Sequence, residues 1–138
     1  MSTERKNEHR YMLGNLVKDE NGNVLKICGI SGKGITTSIG KEVSYEEIRP
    51  IPLSDEFLKD NEFIFNEPEK SKGTFGGVLT TISTPDYYGP FITKREHYFY
   101  EREAEYAIAG VIVRTVDELQ NLYNVCGCSS ISEKLFIK

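Results

Sequence analysis

The chain has 138 residues, 38% hydrophobic and 28% charged, enough for one domain with its own core and too apolar for wholesale disorder. A formal charge of −4 and a pI near 5.3 work against sequence-independent binding to duplex DNA, since that affinity comes from lysine and arginine displacing counterions. No apolar run is as long as a membrane span, and the opening "MSTERKNEHR" lacks the apolar core of a signal peptide, so a cytoplasmic protein without a membrane anchor is expected.

Residues 1–10 are polar and of mixed charge, which predicts a flexible leader. Residues 11–138 form a single α+β domain in this reading, with an N-terminal β lobe over 11–50 and a sheet-and-helix lobe over 51–138. In "YMLGNLVKDENGNVLKICGI" two apolar runs flank Asn21-Gly22, a pair suited to the positive φ angles of a type I′ hairpin turn. The β-branched "ITTSIGKEV" then supplies a third strand and the start of a fourth, giving a bent antiparallel sheet. "SYEEIRP" predicts one helical turn, because Ser44 and Glu47 have capping-box spacing and Pro50 blocks continuation. A short helix follows from Ser54 to Asp60 or Asn61, with Asp55 and Glu56 where the helix dipole favours negative charge.

"FIFNEPEKSKGTFGG" predicts a short strand and a loop broken by Pro68, Gly73, Gly76 and Gly77. "VLTTISTPDYYGP" has strand character up to Pro85. "FITKREHYFYERE" and "AEYAIAGVIVRT" then suggest a strand pair, in which Lys94, Glu96, Tyr98, Tyr100 and Arg102 share one face and Arg95, His97, Phe99 and Glu101 the other. A helix over 94–106 competes with this, and the aromatic density favours strand. In "TVDELQNLYNVCGC" Thr115 and Glu118 form a capping box, Val116, Leu119, Leu122, Tyr123 and Cys126 make an apolar stripe, and Gly127 stops the helix. The predicted fold is a bent N-terminal antiparallel sheet, a short helix, and a second antiparallel sheet packed by this C-terminal helix.

The order "LGNLV", an Asn-Gly hairpin, "EEIRPIPLSDEFL" and a terminal "VDELQNLY" resembles a small, functionally uncharacterised protein family of Bacteroidetes genomes and their phages and mobile elements. The matching segments cover residues 11–58 and 112–123. The resemblance implies an α+β fold and an accessory role for a phage or mobile element. It implies no catalytic residues.

The chemistry offers few catalytic leads. "GISGKGITT" misses the spacing of a phosphate-binding loop, since Ile35 follows Gly34, and a tight β-turn is the better reading. His97 has no second histidine nearby and no nucleophile motif in the chain to serve. Glu96, Glu101, Glu103 and Glu105 interleave with Lys94, Arg95 and Arg102 as in a solvated ion-pair face. Three cysteines, with Cys126 and Cys128 as a lone C-x-C and Cys28 apart, make neither a disulfide framework nor a structural zinc site. No catalytic residue, metal or cofactor is therefore assigned.

The remaining signal is a cluster of rings and cations. Tyr87, Tyr88, Lys94, Arg95, Tyr98, Tyr100 and Arg102 combine rings that stack on a base with groups that hold phosphate. These seven are the predicted ligand-binding residues. The function expected from sequence is a non-enzymatic binding protein, a phage-encoded counter-defence sponge sequestering a small anionic, nucleotide-derived signal as a homo-oligomer in the host cytoplasm. Two alternatives stand beside it: an adaptor or inhibitor that binds a host protein through the acidic segment 55–69 or an open strand edge, and a small hydrolase using His97 and neighbouring glutamates.

Overall fold

The computed structural model describes residues 10–70, 77–85, 89–97 and 104–137. The chain divides into two units: the chain up to Pro52 joins Thr115–Ile137 in the first, and Leu53–Arg114 makes the second.

Four short strands build the first unit's sheet: β1 (Leu16–Lys18), β2 (Val24–Ile30), β3 (Gly34–Thr37) and β4 (Glu42–Ser44), paired antiparallel in that order. The β1–β2 hairpin is where Asn21-Gly22 predicts it, but only Gly22 takes a positive φ (83°), and the turn is not type I′. The reason is Asp19, whose carboxylate accepts from the Asn21 and Asn23 amides at 2.9 and 2.8 Å and holds a longer loop. "SGKG" closes β2 onto β3 as a tight turn, with the Ser31 amide donating to the Gly34 carbonyl at 2.9 Å. A Cβ on Gly34 would run into the Val43 carbonyl oxygen, so this glycine serves strand packing.

After a 3-10 turn at Tyr45–Glu47, capped by Ser44, Arg49 exchanges two backbone hydrogen bonds with Lys18 (2.9 and 2.7 Å). The chain thereby curls back onto β1. Tyr11, Val17, Ile27, Ile35, Val43, Tyr45 and Ile48 fill the interior.

The second unit opens with helix α1 (Asp55–Asp60), capped by the Ser54 hydroxyl, which accepts from the Phe57 amide at 3.1 Å. Helix α1 ends in a residue that is not glycine: Glu62 sits at φ 65°, with the Glu62 amide bonded to Lys59 and the Phe63 amide to Leu58. That is a Schellman stop built on an unfavourable residue. Glu62→Gly is expected to stabilise the protein by about 0.5 to 1 kcal/mol, seen as a rise in thermal midpoint.

The second sheet has strands β5 (Ile64–Phe65), β6 (Glu69–Lys70), β7 (Gly77–Ser83), β8 (Ile92–His97), β9 (Glu105–Ile108) and β10 (Val111–Val113). Its order is β10-β9-β8-β7-β5, with β6 also on β7. The α+β class and the two antiparallel sheets are as predicted, and β8 and β9 are strands where a helix competed. Within "AEYAIAGVIVRT" lies a hairpin the sequence reading did not resolve. Ala109 and Gly110 take φ 49° and 83°, a two-residue turn of the I′ kind, between the paired Ile108 and Val111.

Helix α2 (Val116–Val125) and the short α3 (Ser129–Lys134) complete the first unit. This corrects the predicted lobes, which group the terminal helix with the second sheet. The cause is a set of polar side chains. Gln120 is buried, its Oε1 accepting from the Leu16 amide at 2.9 Å and its Nε2 donating to the Gly14 carbonyl at 3.1 Å. Asn121 accepts from Asn15 at 2.8 Å and donates to the Arg10 carbonyl at 3.1 Å.

Fully buried Asp117 accepts from Arg10 Nε at 3.0 Å, and this bond chiefly raises the Arg10 pKa. Arg10 therefore does not belong to a free leader, whose other residues lie outside the described ones. The apolar stripe is also narrower than predicted: Val116, Leu119 and Tyr123 are buried, Leu122 is half-buried and Cys126 is exposed.

Candidate functional site

Of the seven predicted ligand-binding residues, Tyr87, Tyr88, Tyr98, Tyr100 and Arg102 lie outside the described residues. Lys94 and Arg95 are described, and as neighbours on β8 they fall on opposite faces of the second sheet.

Lys94 shares its face with Ile92, and its cross-strand neighbours are Thr80 and Tyr106; all three are buried. Its ammonium donates to Asp55 Oδ2 at 2.6 Å and lies 3.3 Å from Glu96 Oε1, while the Tyr106 hydroxyl donates to Asp55 Oδ1 at 2.6 Å. The first residue of α1 thus takes one hydrogen bond from each of two adjacent strands.

The electrostatics of this cluster run toward fixed protonation states. Burial disfavours the Asp55 carboxylate, but the bonds from Lys94 and Tyr106 outweigh it and hold the carboxyl below its ordinary value. Burial likewise disfavours the Lys94 ammonium and is outweighed by Asp55, so its pKa is raised. For the Tyr106 phenol, burial and Asp55 act together and push it well up. Near neutral pH, Lys94 keeps its proton and Tyr106 remains a donor to Asp55. Neither is poised as a base or nucleophile, and Lys94's charge is already neutralised against an anionic ligand.

On the other face Arg95 is exposed and pairs in register with Leu79 and Glu105. His97 lies on that face too, half-buried and opposite Gly77, whereas Glu96 belongs to the first face. Of the glutamates neighbouring His97, Glu96 is therefore on the opposite face, Glu105 is on the same face across from Arg95, and Glu101 and Glu103 lie outside the described residues. Among the described residues no three His, Cys, Asp or Glu side chains converge as metal ligands, and no helix is long and apolar enough to cross a membrane.

The β9–β10 hairpin supplies a different kind of site. At its turn Ala109 and Gly110 are exposed, and the strand that follows carries Val111 at 53% exposure and Ile112 at 38%. Beside it is a hollow of about 420 Å³ lined by Leu53, Tyr106, Ile112 and Arg114 among others.

The outer edge of β10 is free among the described residues as far as Val113, after which the Leu53 amide bonds the Arg114 carbonyl at 2.9 Å. The far edge of the same sheet is different: the exposed Asn66, Glu67, Pro68 and Glu69 supply the charge and proline that blunt an edge. Sequence reading missed the apolar tip because alanine at a turn is not a recognised signal. The readable clue was that "IAGVIV" contains no polar residue.

No protein-family model matches the chain, and no curated protein and no solved structure matches it either.

Proposed function

We propose that this chain is a non-enzymatic binding protein that docks another protein on the apolar tip of the β9–β10 hairpin, in an accessory role for a phage or mobile element. The observation that carries the reading is the contrast within one sheet. One edge carries charge and a proline beside a single exposed apolar residue, Ile64, while the other exposes Val111 and Ile112 together next to a hollow with a partly apolar wall. Exposed apolar edges invite association, and a chain that keeps one while blunting the opposite edge has a use for it. The locked Lys94–Asp55–Tyr106 cluster speaks for a rigid platform rather than a catalytic centre. The phage setting rests on the sequence resemblance, and an adaptor or inhibitor of a host protein is the function that fits both.

A photo-crosslinking amino acid at position 111 tests the proposal directly. Exposed to host extract and illuminated, it should give one discrete protein adduct, absent when the crosslinker is at position 67. Ile112→Asp should weaken binding to that partner by roughly 30-fold or more, the scale of an interface hot spot. Equal labelling at both positions, together with intact nucleotide released by heating the purified protein, would instead favour sequestration of a nucleotide-derived signal.

A further inference from the structure

Helix α2 ends in Cys126-Gly127-Cys128, far in sequence from the docking tip and independent of it. The Cys126 amide bonds the Leu122 carbonyl at 3.0 Å, the Gly127 amide that of Asn124 at 3.2 Å, and the Cys128 amide that of Tyr123 at 2.8 Å. With Gly127 at φ 78°, this is a complete Schellman stop, and it fixes the backbone beneath both thiols. The Cys128 Sγ lies 3.8 Å from the Cys126 carbonyl oxygen, so the thiol turns back over the helix end. Cys126 is exposed and Cys128 partly so, which leaves the pair open to solvent.

We propose that Cys126 and Cys128 form a two-thiolate clamp for a soft, thiophilic cation of low coordination number, with Cu(I) as its representative. Two sulfurs cannot satisfy zinc, which takes four ligands in its structural sites, and no set of three ligating groups forms among the described residues. Soft thiolates select Cu(I) over harder cations, which favour carboxylates and water. Binding replaces two S–H bonds with two S–Cu bonds and releases two protons, leaving a singly negative bis-thiolate complex. Because α2 already holds the backbone of both residues, the ion does not have to order a loop.

The test titrates Cu(I) into the reduced full-length chain without oxygen, against the chromophoric chelator bathocuproine disulfonate. The expected result is one ion retained per chain with two protons released. Cys126→Ser and Cys128→Ser, checked for unchanged circular dichroism, should each weaken retention by more than the roughly 10- to 100-fold typical of losing a group that only orients a metal ligand. Cys28→Ser should retain the ion like the parent. The proposal is overturned if the chelator strips the parent protein completely, if Cys28→Ser is equally impaired, or if either C-x-C variant binds like the parent.

Discussion

Leu119→Ala is expected to destabilise the protein by about 2 to 5 kcal/mol, read as a lower urea midpoint at unchanged slope. Leu119 is fully buried in α2 and shares its stripe with Val116 and Tyr123, both also without solvent exposure. Removing its branched end forfeits the transfer energy of those atoms and leaves a void that the bonds fixing α2 keep from collapsing. Those bonds are made by Gln120 and Asn121 on the same helix, which tie it to the segment around Gly14 and Asn15. Leu122→Ala should cost markedly less, because Leu122 is only half-buried. Since whole domains are stable by roughly 5 to 15 kcal/mol, the Leu119 variant sits close to the unfolding threshold.

Asp55→Asn should cost about 1 to 3 kcal/mol near neutral pH, less than a fully buried ion pair would, because the Asp55 side chain is 37% exposed. The change leaves Lys94, whose side chain is only 13% exposed, with the more exposed Glu96 as its remaining charged partner, and weakens the acceptor of the Tyr106 hydroxyl. The pH dependence separates this from a packing defect. The folded Asp55 carboxyl titrates below its ordinary value of 3.8. Its contribution is therefore fully present above that value and is lost as pH falls through the folded pKa. The stability gap between parent and variant should be constant around neutrality and close in acid. A gap that stays the same down to the acid transition would remove the electrostatic explanation.

What the sequence made legible was local. Ser54 and Thr115 each cap a helix by accepting an amide proton three residues on, and Gly127 ends one by taking a conformation open to it. Aromatic density favoured strand over helix across β8 and β9, and both are strands. The features that escaped depend on residues far apart. Gln120 bonds Leu16 across 104 positions, and a buried polar residue on a helix looks like a solvent-facing one until its partner is known.

The same limit applied to the ligand site. A count of rings and cations ignores which face each occupies, so Lys94 and Arg95 were grouped although β8 separates them. Lys94 also had a stronger claim on it from Asp55, 39 positions away. Ala109 escaped for a different reason: its positive φ is imposed by strand pairing against its own preference.

Because Leu53–Arg114 interrupts the first unit, the two halves of that unit leave the ribosome at different times. The β1–β4 sheet is released before the second unit, while the helix that satisfies the Leu16 amide and the Gly14 carbonyl is made only after it. At roughly 5 to 20 residues per second the wait lasts seconds, against the microseconds a hairpin needs to form. A nascent chain stalled before residue 115 would hold an unfinished N-terminal sheet next to a fully synthesised second unit, a state open to chaperones and proteases that the completed protein leaves behind.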